Sequence, residues 1–171
     1  MGRLAVAAVL ILGLDIIVAW MVIQGAYLYL GLIWHGLAGE ALAPGAIETH
    51  GRQFLVLRRV QIATWVATGA IVLAWLRRAR AAARWRGVSG AAPVRWRPLG
   101  TRVLPGLTVA ALLAHALAAG LARDRARPLD LGGPMQLLLV AELLEIAAAV
   151  LAIALVRRVT GGLESPERTL T

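Results

Sequence analysis

Asp15, His115, Glu142 and Glu145 are the residues of this 171-residue chain whose types and spacing could do chemistry, because all four fall inside long apolar runs. A charge at the centre of a bilayer costs at least about 2.5 kcal/mol, so ionisable groups at that depth face a bundle interior and find partners there. Counted at about 1.5 Å per helical residue from the nearest flanking arginine, Asp15 lies roughly 18 Å from Arg3, His115 roughly 20 Å from Arg102 and Glu145 roughly 18 Å from Arg157. Three helices thus bring polar groups to one level. Glu142 lies one turn further out on the same face as Glu145, since an interval of three keeps helical side chains adjacent. Small residues Ala149 and Ala152 flank Glu145 on that face, which favours an inward orientation.

Several chemistries fit such a cluster. It can glue helices together or meet a neighbouring subunit without turnover, a histidine hydrogen-bonded to a carboxyl group being the natural pair. It can form a proton or ion path with Asp15, Glu142 and Glu145 as relay groups. His115 with two or three carboxylates would suit manganese, iron or zinc, although no Glu-x-x-His ligand pair is present. His115 could also give a single axial contact to a haem or a chlorophyll-type pigment. An intrachain bis-histidine haem is not expected, because His35 and His50 belong to the outer loop. Those two, with Glu40 and Glu48, could bind a surface metal, but scattered loop residues of these types are ordinarily solvated. The chain has no Gly-x-Ser-x-Gly elbow, no phosphate loop and no His-Glu-x-x-His zinc pair, and it is read as a non-enzyme.

The elements that must position these groups are four apolar stretches, about Leu4–Ile33, Val60–Leu76, Val103–Leu121 and Met135–Val156, each bounded by arginines. A bilayer core is crossed by roughly 17 to 25 helical residues, so the pattern predicts one domain over 1–171, an all-α, integral membrane four-helix transmembrane bundle. The apolar share of 60% agrees. Cysteine is absent, which removes disulfides and thiolate metal sites. All 18 basic residues are arginine, which reads as codon bias in a GC-rich bacterial genome. In a soluble domain the sequence pI of about 11.7 would point to nucleic acid. Here the arginines flank apolar spans, where they set topology and meet lipid phosphates, and no nucleic-acid partner is expected.

The amino-terminal run is too long for a cleaved signal and is read as an uncleaved first span, and Val6 breaks the myristoylation pattern. The first span ends in Tyr27, Tyr29 and Trp34, expected in the headgroup belt. Gly36–Gly51 is expected as a helix-breaking loop, and Phe54–Leu57 as the start of a second helix before Arg58 and Arg59, both expected to snorkel outward. Arginines divide 12 against 6 between the two sides, placing both termini in the cytoplasm of a bacterial inner membrane. The basic loop 77–102 carries Arg77, Arg78, Arg80, Arg84, Trp85, Arg86, Arg95, Trp96 and Arg97, a surface for anionic lipid headgroups or for an acidic partner. Gly106, Ala110, Ala114 and Ala118, then Ala70 and Ala74, then Ala148 and Ala152 form small-residue ladders of the kind that pack membrane helices.

Two stretches, Val60-Gln-Ile-Ala-Thr-Trp65 through Arg80 and Glu142-Leu-Leu-Glu145 through Thr160, resemble an uncharacterised bacterial four-span membrane family, one of the numbered domains of unknown function (four-three-two-eight). They cover the second and fourth spans. That family usually carries a Trp- and Pro-rich segment before its third span, to which only Trp96, Pro98 and Pro105 correspond here. The resemblance implies the four-span fold and transfers no catalytic residue. The function expected from the whole sequence is a small accessory or scaffold subunit of a larger membrane complex, respiratory or photosynthetic, with other membrane subunits as partners. The alternatives are a small ion or proton transporter, and a pigment-, haem- or metal-binding electron-transfer subunit.

Overall fold

A computed structural model of the chain describes residues 2–85, 103–123 and 132–164. They form four helices: α1 (Gly2–Leu37), α2 (Ala46–Trp85), α3 (Leu104–Arg123) and α4 (Gly132–Glu164). All four are long and apolar enough to cross a membrane, and no strand occurs among the described residues. The chain folds as an all-α four-helix bundle of the multi-pass membrane type. An apolar solvent leaves the backbone only the helix for satisfying its own polar groups within one segment, which is why each apolar run is helical throughout.

Two helices extend beyond the expected spans. α1 runs unbroken to Leu37, where Gly39 at φ 77° takes the left-handed conformation that closes a helix, with Glu40 N–H donating to His35 C=O at 3.1 Å. α2 already begins at Ala46, behind Gly45 at φ 74°, so the expected loop over Gly36–Gly51 shortens to residues 38–45. Gly51 is helical, with Tyr29 nearby. Phe54, Arg58 and Arg59 are therefore mid-helix residues of α2.

α4 packs between α3 and α1, and α2 lies along the other side of α1, while α2 and α3 scarcely approach each other. At the connection between α1 and α2, called here the loop end, Val22, Ala26, Tyr29 and Ile33 pack with Ala118, Met135 and Leu138. At the opposite, arginine-rich end, Ala5 and Ala8 pack with Trp75, Ala79 and Val156. Between them Leu12 meets Ala149 and Ala152. α1 and α2 come close at Gly25, where an added Cβ would lie 3.4 Å from the Phe54 ring. Tyr29 is buried and stacks on Phe54 at 6.4 Å, so of the three aromatics expected in the headgroup belt only Tyr27 and Trp34 are exposed.

The small-residue ladders are only partly used. Ala114, Ala118, Ala148 and Ala152 are buried at helix contacts, whereas Gly106, Ala110, Ala70 and Ala74 are exposed. The exposed four sit on helix faces that no neighbouring helix covers.

Candidate functional site

Three helices contribute a connected polar cluster at mid-bundle. On α2, intervals of three and four put Arg58, Gln61 and Trp65 on one stripe; on α4, the interval of three does the same for Glu142 and Glu145; α3 supplies His115. Gln61 and Glu142 are fully buried, and His115 and Glu145 are buried too. Arg58 Nη1 donates to Glu142 Oε1 at 2.8 Å and to Gln61 Oε1, while Arg58 Nη2 lies 3.3 Å from His115 Nδ1. Gln61 Nε2 donates to Glu142 Oε2 at 2.6 Å and to Glu145 Oε2 at 3.0 Å. The Trp65 indole N–H donates to Glu145 Oε1, and His115 Nε2 lies 3.3 Å from Glu145 Oε2.

The donors fix the imidazole tautomer. Guanidinium nitrogen can only donate, so His115 Nδ1 accepts from Arg58, and the ring hydrogen sits on Nε2, directed at Glu145. The tilted packing of Trp65 on the imidazole, centroids 4.7 Å apart, holds the ring in that orientation. Charge counting then gives the cluster its character. Arg58 supplies one positive charge against two carboxyl groups, Glu142 and Glu145, in a setting where an uncompensated charge is expensive. Neutrality requires one more positive charge, which is a proton or a bound cation.

One ligand atom from each of His115, Glu142 and Glu145 lies within 4.8 Å of the others, a spacing that could hold a metal ion. Yet the carboxylate oxygens are already taken by Arg58, Gln61 and Trp65, and both ring nitrogens of His115 are engaged. A metal or a haem at His115 would have to displace a guanidinium or a carboxylate. A guanidinium already fills the place a cation would take beside Glu142.

Two cavities flank the cluster along the seam between α2 and α3. The loop-end cavity, about 420 Å³, is lined by Tyr29, Phe54, Arg58, His115, Met135 and Leu138 among others. The arginine-end cavity, about 340 Å³, is lined by Asp15, Trp65, Thr68, His115 and Glu145 with a surround of alanines and leucines. His115 lines both. No family model, no curated protein and no solved structure matches the chain.

Of the four residues singled out by type and depth, His115, Glu142 and Glu145 meet, and Asp15 lines the arginine-end cavity with its Oδ1 buried and without a hydrogen-bond partner. Sequence reasoning missed Arg58, Gln61 and Trp65. Arg58 does not snorkel outward: it turns into the bundle, because Glu142 one turn beyond Glu145 offers a buried carboxylate that water at the interface cannot match, whereas Arg59 stays exposed. The signal was present as polar residues Arg58, Gln61, Thr64 and Thr68 recurring at helical intervals on α2. In the loop, His35 bonds Glu40 at 2.7 Å and His50 donates to Ala46 C=O, and they form no metal-sized group with Glu48 among the described residues. Arg77 and Arg78 are exposed on the last turns of α2. The side chains of Arg80, Arg84 and Trp85, and residues Arg86, Arg95, Trp96 and Arg97, lie outside the described residues.

Proposed function

We propose that this protein is a small membrane proton carrier whose relay runs through His115 and Glu145. The observation that carries the reading is that the imidazole of His115 lines both cavities, with its two nitrogens facing different partners. A proton entering from the loop-end cavity forms a bond at Nδ1 and displaces the Arg58 Nη2 hydrogen bond. The Nε2–H bond then breaks and its proton passes to Glu145, leaving the imidazole neutral in the other tautomer. Glu145 then releases that proton into the arginine-end cavity, and reorientation of the neutral imidazole carries the remaining ring hydrogen from the Arg58 side to the Glu145 side, so that Arg58 again donates to the ring and the site is reset. Gln61 and Trp65 hold the Glu145 carboxylate in place by donating to it, and Glu142 keeps Arg58 within reach. The charge count favours this reading over a divalent metal, because the cluster lacks one positive charge and already contains a guanidinium.

The test is flux. In proteoliposomes with a trapped pH-sensitive dye and a potassium-diffusion potential, the wild type should acidify the lumen faster than protein-free vesicles. Glu145→Gln should slow it by a factor of about 100 or more, the scale of losing a positioned acid–base group. Flux equal to that of empty vesicles overturns the proposal.

A second reading, an accessory or scaffold subunit of a larger bacterial membrane complex, is favoured by one feature of α1. Trp20, Tyr27 and Trp34 recur every seven residues and are exposed on one face, a stripe suited to a neighbouring membrane helix as well as to lipid. Under that reading, deleting the protein lowers the yield of a larger complex while turnover per intact particle is unchanged. The exposed Arg77, Arg78 and Arg157 at one end fit anionic headgroups on the cytoplasmic leaflet under either reading.

A further inference from the structure

The arginine-end cavity contains chemistry the relay does not use. Asp15 is buried to 6% exposure, and its Oδ1 has no hydrogen-bond partner; across the cavity the Thr68 hydroxyl is buried and unpartnered as well. The two buried side-chain polar atoms without a partner among the described residues thus belong to the lining of one space, although buried polar groups in folded proteins are nearly all paired. The remaining lining, which includes Leu12, Val72, Leu104 and Leu112, is apolar. The formal charges among the lining residues are those of Asp15 and Glu145, both acidic, together with the titratable His115. Arg58, the guanidinium of the cluster, lies on the other side and does not line this cavity.

We infer that this cavity is a binding site for an apolar organic cation, an ammonium group on a hydrophobic body, held by Asp15 and Thr68. The carboxylate supplies the counter-charge, and the Thr68 hydroxyl accepts an ammonium hydrogen. Trp65 adds an aromatic side chain, of the kind that attracts cations, to the wall. The apolar remainder takes the hydrophobic body, and a volume of about 340 Å³ is at the small end of ligand pockets. A bare inorganic cation is a poorer fit, because calcium-type ions need six or more oxygens, and of the side-chain oxygens in this wall those of Glu145 and Thr108 are already hydrogen-bonded within the protein. An anion would meet two carboxyl groups. The site shares its Trp65, His115 and Glu145 wall with the exit side of the relay, but Asp15 and Thr68 take no part in the relay and occupancy can be measured with no flux.

The test uses the full-length protein in detergent and equilibrium dialysis at pH 7 with 1-naphthylmethylammonium as probe and the neutral 1-naphthylmethanol as control for micelle partitioning. The wild type should bind the cation saturably at one site and the alcohol at least tenfold more weakly. Asp15→Asn should lose at least tenfold in affinity for the cation and little for the alcohol. A second variant guards against misfolding: Gly69→Leu fills the cavity from a position where an added Cβ meets nothing within 4 Å, and should also abolish saturable binding. Absence of saturable binding by the wild type, equal binding of the alcohol, or undiminished binding by either variant overturns the inference. Each of these results leaves the flux through His115 and Glu145 to its own measurement.

Discussion

Replacing Arg58 by Met tests whether this arginine belongs to the bundle or to the interface. The side chain would lose its bonds to Glu142 Oε1 at 2.8 Å, to Gln61 and to His115 Nδ1 at 3.3 Å. Removing one partner of a buried ion pair costs about 3 to 5 kcal/mol, because the other charge is left without compensation. Two features move the expectation to the lower bound: Arg58 retains 20% exposure, and Glu142 keeps the Gln61 bond at 2.6 Å. A loss of about 3 kcal/mol is roughly a 100-fold change in the unfolding equilibrium. The assay is helix content by circular dichroism across a titration of sodium dodecyl sulfate into mixed micelles. The double variant Arg58→Met, Glu142→Leu should recover most of the loss, since an ion pair replaced by packed apolar groups is often near neutral in stability, giving a coupling of about 2 kcal/mol or more. Arg59→Met, at an exposed position, should stay within about 0.5 kcal/mol of the wild type. If Arg58→Met is as mild as Arg59→Met and additive with Glu142→Leu, Arg58 points to the headgroups and the cluster as described is wrong.

Glu145→Leu should destabilise more than Glu145→Gln, because Leu strands the donors of Gln61, Trp65 and His115 at about 1 to 3 kcal/mol for an unsatisfied group, and the same titration compares them. Trp65→Phe keeps a ring against His115 but deletes the N–H to Glu145, and should lower proteoliposome flux with a smaller stability loss than Glu145→Leu. Gly25→Leu should cost about 1 to 3 kcal/mol by driving a side chain into Phe54 and Leu57 of α2, read as a lower midpoint of unfolding. Reporters fused after Thr171 and inserted near Pro44 should lie on opposite sides of the membrane, cytoplasmic and external respectively; equal signals would overturn the span count.

The fold was legible because a bilayer core demands about 20 apolar residues per helix, and four such runs stand out in the sequence. Of the three depth-matched residues, His115 and Glu145 do meet, and Glu142, one turn further out on the Glu145 face, joins them, since depth and helical phase are both countable from sequence. Arg58 was only partly legible: the polar stripe Arg58, Gln61, Thr64 and Thr68 is in the sequence, but an arginine at the edge of an apolar run can extend either way, and its pairing with Glu142 depends on how α2 and α4 face each other. The same holds for Asp15. Its depth could be counted, but whether it joins the cluster depends on how α1 is rotated against α4, and that is set by alanine and leucine packing around Leu12. The exposure of Ala70, Ala74, Gly106 and Ala110 depends on how each helix is rotated about its axis, which small-residue spacing does not contain.

The central claim is that protons reach His115 from one cavity and leave it through the other. The chain has no cysteine, so Leu138→Cys places a single thiol in the wall of the loop-end cavity. Proteoliposome flux is then measured before and after a membrane-impermeant thiol reagent is added from the side facing that cavity. Modification with near-complete loss of flux, reversed by reducing a disulfide-forming reagent, is the predicted result. Full modification of Cys at position 138 with flux unchanged would contradict the relay.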